Sequence, residues 1–201
     1  MAKLLLIRHG QPRLHAEDRF WGKTDIELSD AGLKQAERLG DRLSQMKIDV
    51  VYSSTLLRAM ETAEMVASPH KLKVFALKEL CECNFGFAEG LTFNEISQKF
   101  PALGKELAPG KTISFPGGES LEQLDLRVLE FMEKLALVKP ESTVAVIAHG
   151  GPLRLLVCRL LGLGIEHWLK WRIDYASLSI VETYPQISFL TLLNDVSHLN
   201  I

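Results

Sequence analysis

The sequence predicts an α/β three-layer sandwich, in which helices flank a mostly parallel central sheet. Three observations predict it. Short continuous apolar runs alternate with segments of helical periodicity, and such alternation builds parallel sheets covered by crossover helices. The apolar runs are rich in Leu, Ile and Val without a polar face, as strands buried on both sides require. No repeat, linker or low-complexity tract interrupts the pattern. A chain of 201 residues with 47% hydrophobic composition can bury one substantial core, so residues 1–201 read as a single domain.

The elements follow in order. Leu4-Leu-Leu-Ile7 is a buried strand that ends before Gly10. Ser29 suits an N-cap, after which Leu33, Ala36, Leu39, Leu43 and Met46 recur at helical spacing. Val50-Val51-Tyr52 reads as a second strand. Ser53-Ser54-Thr55 reads as the capping region of a helix over 56–67, and Leu72 to Leu77 as a third strand. Residues 84–118 carry many Gly and Pro and are expected to be irregular, apart from a short helix around 92–100. Leu121, Leu124, Val128, Phe131, Met132 and Leu135 mark an amphipathic helix. Thr143–Ala148 is another buried strand, ending at His149-Gly150-Gly151. Pro152 suits the first position of a following helix. That helix, to about residue 161, is apolar nearly all round and therefore expected to be buried. Two strands near 177–183 and 187–193 close the chain.

Composition excludes some function classes. A net charge of -2 argues against a protein whose main task is coating nucleic acid or an anionic membrane, while leaving room for a local basic pocket. Cys81, Cys83 and Cys158 are odd in number, and C-x-C spacing fits neither a usual zinc knuckle nor a redox C-x-x-C. They read as reduced thiols of a cytosolic protein. No signal-peptide pattern is visible, and no apolar run approaches the roughly 20 residues of a membrane helix. The expectation is a soluble, cytoplasmic protein.

Two segments rhyme. Leu4-Leu-Leu-Ile-Arg8-His9-Gly10 and Val144-Ala-Val-Ile-Ala148-His149-Gly150 are both buried strands ending in His-Gly. Open α/β sheets bind ligands beyond the carboxyl ends of their strands. If the two strands are neighbours, His9 and His149 face one crevice. The glycines let backbone approach a ligand, and the helix after Gly151 aims its N-terminus there, which favours an anion. Arg8 and Arg58, each just past a strand, suit bidentate binding of phosphate. Glu82, before Asn84-Phe85-Gly86, is a candidate general acid. Phe20 and Trp21 are assigned to loop packing rather than stacking on a substrate, and Trp168 and Trp171 to core or lid packing.

On these motifs the chain resembles the histidine phosphatase superfamily, the group that includes phosphoglycerate mutases. Arg8-His9-Gly10 matches its signature. Tyr52-Ser-Ser-Thr-Leu-Leu-Arg58 matches its Ser-rich turn and Arg-bearing helix, and Leu80-Cys-Glu82 through Glu89-Gly90 its proton-donor segment. Pro116-Gly-Gly-Glu119-Ser120, Ala148-His149-Gly150-Gly151 and Trp21-Gly-Lys-Thr24-Asp25 follow the family's order. The resemblance implies a phosphoglycerate mutase-like fold and a catalytic set of His9, Arg8, Arg58, Glu82 and His149. His9 would attack phosphorus and carry the phosphoryl group. Arg8, Arg58 and His149 would bind its oxygens. Glu82 would protonate the leaving oxygen and then take a proton from water. Thr24, His15 and Gly150 complete the expected substrate contacts, with no metal and no cofactor. His15 stands where many members have Asn, and Ala88 stands where a tryptophan is common, which would widen a pocket wall.

The leading expectation is a phosphomonoesterase acting on a small phosphorylated metabolite, with no nucleic acid or membrane partner and a homodimer left open. Gly-Leu-Thr-x-x-Glu after Glu89, few basic residues between Glu89 and Pro116, and the ending Leu193-Asn-Asp-Val-Ser-His198 resemble the short phosphatase branch. Within it they look most like α-ribazole phosphatases of cobalamin synthesis and broad-specificity phosphatases. The rivals are a phosphoglycerate mutase, an inactive phosphate-binding module, and a metal-dependent hydrolase using His9, His15 and His149. The last lacks a carboxylate at ligand spacing.

Overall fold

The computed structural model describes residues 2–14, 19–106 and 113–200. Six strands form one sheet in the order β3-β2-β4-β1-β5-β6. They are β1 (Ala2–Arg8), β2 (Val50–Ser54), β3 (Val74–Leu77), β4 (Thr143–Ala148), β5 (Leu178–Thr183) and β6 (Ser188–Asp195). β1, β2, β3 and β4 run parallel, while β5 and β6 form an antiparallel edge. The sheet is therefore mostly parallel, as the alternation predicts.

Alternate side chains of the central strands feed two cores, because successive residues of a strand point to opposite faces. Leu5, Ile7, Ala145 and Ile147 meet α1 (Asp30–Leu43) and α2 (Leu57–Ala67) on one face. Leu4, Leu6, Val144 and Val146 meet α5 (Leu121–Ala136) and α6 (Gly150–Leu160) on the other. The helix expected around 92–100 is α3 (Phe93–Lys99), opened by a capping box between Thr92 and Glu95. A further helix, α4 (Pro101–Glu106), falls in the stretch expected to be irregular. Pro101 at its first position made the segment read as a break, yet a proline there sacrifices no helical hydrogen bond.

Ser29 caps α1 by accepting from Gly32 N. The Ser53-Ser54-Thr55 cap is corrected in part: Ser53 and Ser54 belong to β2, and Ser54 Oγ accepts from Leu56 N, just before α2, at 3.2 Å without reaching an N–H inside the helix. Instead Asp25 accepts from Leu57 N at 2.7 Å, bringing a residue distant in sequence to the helix start. Pro152 lies within the first turn of α6 rather than at its first residue. Cys81, Cys83 and Cys158 are free thiols. Among the described residues no helix is long and apolar enough to cross a membrane.

Candidate active site

The two His-Gly strand ends meet. β1 and β4 pair in parallel with Arg8 opposite Ala148, and His9 N donates to Ala148 O at 3.1 Å. The rings of His9 and His149 stand 4.8 Å apart between centroids. Both residues are buried. Nδ1 of His9 lies 2.7 Å from the Gly10 carbonyl. A carbonyl only accepts, so Nδ1 carries the proton and Nε2 keeps its lone pair. Burial, reinforced by the charges of Arg58 and Arg8, holds the His9 imidazole well below its ordinary pKa of 6.5. Burial, with His9 and Arg58 nearby, does the same to His149, whose Nε2 is 2.8 Å from Ser54 Oγ.

Two arginines flank these rings. Arg58 is almost fully buried, and its guanidinium donates to the carbonyls of Gly22 and Thr24 at 2.8 Å each and of Trp21 at 3.3 Å. Glu89 holds that loop, accepting from Gly22 N, Thr24 N and the Thr24 hydroxyl. Arg8 donates to Ile173 O at 2.7 Å and lies 4.0 Å from the Tyr175 ring centre, a cation–π distance. Ala176, at φ 52, makes the turn that brings Tyr175 there, and its N–H donates to His9 O.

Glu82 arrives from the segment after β3. Its carboxylate accepts from Cys83 N at 2.8 Å and from Gly151 N at 3.2 Å. Arg127 of α5 secures the backbone of this segment, donating to the carbonyls of Glu79 and Cys81 at 3.0 Å and of Glu82 at 3.3 Å. Arg127 is itself held by Glu119 in a two-pronged ion pair at 2.8 and 2.9 Å. Gly86, at φ 53, lets the segment turn against Pro116 and Gly118, whose backbone leaves no room for a Cβ.

A cavity of about 280 Å³ opens on this constellation. Of the residues expected there, Arg8, His9, Arg58, Glu82 and Gly150 line it, and His149 stands beside His9. Thr24 does not line the cavity: its side chain is exposed with the hydroxyl bonded to Glu89, and its carbonyl only anchors Arg58. His15 lies outside the described residues. Phe20 and Trp21 both line the cavity, although Phe20 also packs against Phe85 and Phe115 as loop packing predicts. Trp168 is buried in the core. Ala88 is buried and does not reach the cavity. Arg19, Phe85, Arg154 and Tyr175 also line the cavity and were missed by sequence reasoning. A signal existed for Arg154, a charged side chain among apolar ones in the opening turns of α6.

The arrangement offers a buried neutral imidazole, cations to hold an anion beside it, and a carboxyl group across the cavity. Among the described residues no three His, Cys, Asp or Glu side chains converge as a metal site would require.

The profile of the histidine phosphatase superfamily (branch 1) matches residues 4–196. Phosphoserine phosphatase 1 of Hydrogenobacter thermophilus is 32% identical over 200 residues, covering 99% of this chain and 95% of that protein. A metal-independent phosphoserine phosphatase of Arabidopsis thaliana is 32% identical over 207 residues, covering 100% of this chain and 84% of that one. The crystal structure of the α-ribazole phosphatase from Shigella flexneri superposes with a TM-score of 0.87 at 28% identity, covering 96% of each chain. This chain belongs to branch 1 of the histidine phosphatase superfamily.

Proposed function

We propose that this protein is a metal-independent phosphomonoesterase that works through a phosphohistidine on His9. One observation carries the reading: the Gly10 carbonyl fixes the proton of His9 on Nδ1 at 2.7 Å, which leaves Nε2 a lone pair inside a cavity lined by arginines.

Nε2 attacks phosphorus and the ester P–O bond breaks. The leaving oxygen takes a proton from the carboxyl group of Glu82. The phosphoimidazole keeps its Nδ1 proton and its hydrogen bond to Gly10. Water then attacks phosphorus, Glu82 accepts its proton, the P–N bond breaks, and phosphate departs from a regenerated neutral His9. Two easier steps replace one difficult one. Arg8 and Arg58 hold the equatorial oxygens and meet the charge of each transition state without moving. They supply the positive charge a metal would bring, and the name of the Arabidopsis relative supports the same reading.

Hydrolysis is favoured over mutase chemistry because residues 91–118 are poor in Arg and Lys, so that stretch offers little to close over a bisphosphate while it reorients. The relatives support two substrates, phosphoserine and α-ribazole 5'-phosphate.

The test is a rapid quench with a 32P-labelled ester. The expected result is an acid-labile, base-stable label on His9, and no label or phosphate release from His9→Ala. Normal turnover by His9→Ala would overturn the proposal.

A further inference from the structure

The cavity carries more positive charge than one phosphoryl group calls for. Arg8, Arg19, Arg58 and Arg154 line it against one carboxylate, Glu82, among the described residues. Arg19 pairs with Glu95 at 2.8 Å, and Arg8 and Arg58 hold the phosphoryl oxygens in the reading above. Arg154 has neither task.

Arg154 sits in the second turn of α6, and its Nε donates to Trp171 O at 2.9 Å. That bond fixes the plane of the guanidinium. Nη1 and Nη2 have no acceptor among the described residues. Burial and the neighbouring charge of Arg8 disfavour the cation at this place by more than the nearby carboxylates of Glu82 and Asp174 favour it. A guanidinium so placed is costly unless an anion meets it. Its open Nη1–Nη2 edge presents two parallel donors, the geometry that a carboxylate accepts in bidentate fashion.

A Cβ placed on Gly150 would lie 3.7 Å from Arg154 Nη1 and 3.8 Å from Glu82 Oε2. Arg154 and the proton donor therefore flank the same point of the cavity floor. Glu82 marks where the leaving oxygen sits, so Arg154 reads the leaving group rather than the transferred phosphoryl group.

We propose that Arg154 forms an anion subsite on the leaving-group side, and that the preferred substrates are phosphomonoesters whose leaving group bears a carboxylate. The cavity is compact, at about 280 Å³, and suits a small phosphorylated hydroxy or amino acid. α-Ribazole, a nucleoside with no anionic group, leaves Arg154 unmet. The proposal rests on the phosphatase reading and decides between its two candidate substrates.

The experiment compares two ester pairs that differ in the carboxylate: phosphoserine against phosphoethanolamine, and 3-phosphoglycerate against glycerol 3-phosphate. p-Nitrophenyl phosphate serves as a general reporter of phosphatase activity. Phosphate release is measured as kcat/KM for the wild type, Arg154→Met and Arg154→Lys. In the wild type the carboxylate-bearing member of each pair is expected to lead by on the order of 100-fold, the worth of a charge-assisted bidentate contact. Arg154→Met is expected to bring both ratios to within about threefold of one, and Arg154→Lys to restore them in part. Wild-type ratios near one would overturn the proposal even if neither variant folds, as would ratios that Arg154→Met leaves intact. Hydrolysis of p-nitrophenyl phosphate with no carboxylate preference would remove the subsite alone. Phosphate release from none of the five esters would remove the phosphatase reading and this inference together.

Discussion

Glu82 and Gly151 are fitted to each other. The Gly151 N–H donates to both carboxylate oxygens of Glu82, at 3.2 and 3.3 Å, and a Cβ on Gly151 would stand 2.3 Å from Glu82 Oε1. The proton donor thus rests on the opening turn of the helix that begins next to His149, and only glycine leaves it the space.

Gly151→Ala is therefore expected to fold, because the atom it displaces is the tip of a flexible side chain, and to move the acid. It should copy the signature of Glu82→Gln. Both variants should slow alkyl esters by about 100-fold or more, and p-nitrophenyl phosphate far less, since a good leaving group needs little protonation. Steady-state kcat/KM across leaving groups checks this. Equal slowing of both ester classes by Glu82→Gln would place the acid elsewhere.

Arg127 is a positioning residue for the same acid. It ties the carbonyls of Glu79, Cys81 and Glu82 to Glu119. Arg127→Met leaves Glu119 partly buried without its partner and should cost about 1–3 kcal/mol of stability. Its kinetic loss should be larger for alkyl than for aryl esters. Urea unfolding and the leaving-group series together separate this from a merely structural role, which would lower both ester classes alike.

Ser54 and His149 form a buried pair at 2.8 Å. Ser54→Ala strands Nε2 of a histidine that has no solvent access, with an expected cost of about 1–3 kcal/mol. Thermal unfolding measures the cost. A reduced rate with unchanged labelling of His9 would confirm that Ser54 acts through His149.

The two buried histidines also set a pH dependence. Unfolded, each titrates near 6.5; folded, each is held neutral to a lower pH. Below 6.5 the unfolded chain binds more protons than the native one, so stability rises with pH across that window. The contribution is fully present above pH 6.5 and is lost as pH falls toward the lowered native values, at up to about 1.4 kcal/mol per pH unit for each histidine. Melting curves between about pH 7.5 and 5 should show it, and His149→Gln should flatten the slope. The acid limb of kcat/KM due to His9 should likewise lie below pH 6.5, since only the neutral ring attacks.

Tyr175 supports Arg8 through its ring, 4.0 Å from the guanidinium. Tyr175→Leu should raise KM several-fold by loosening that cation, in keeping with a cation–π contact worth about 0.5–2 kcal/mol. Tyr175→Phe keeps the ring and should stay near wild type in initial-rate assays.

Strand–helix alternation made the sheet legible, and the rhyming His-Gly ends made the pairing of β1 with β4 legible. Both are periodic signals that a one-dimensional pattern carries well. Tyr175 and Arg127 were not legible because each acts through a partner remote in sequence: Arg8 and the segment 79–82. Arg127 reads simply as the polar face of an amphipathic helix. The cap of α2 was misread for the same reason, since Asp25 reaches Leu57 across a loop, while the nearby serines belong to the strand.

The strand order has a consequence for biosynthesis. β1 leaves the ribosome before both of its neighbours, β4 and β5, which follow only from residue 143 onward. Until residues 143–183 appear, the strand that presents His9 has both hydrogen-bonding edges unsatisfied. Such an apolar strand, waiting for distant partners, is exposed to wrong pairing, and its native pairings have high contact order, which slows folding. Truncations that stop short of β5 should therefore yield insoluble, inactive chains rather than weak enzymes, and the nucleophile becomes competent only once residues 143–183 have been made.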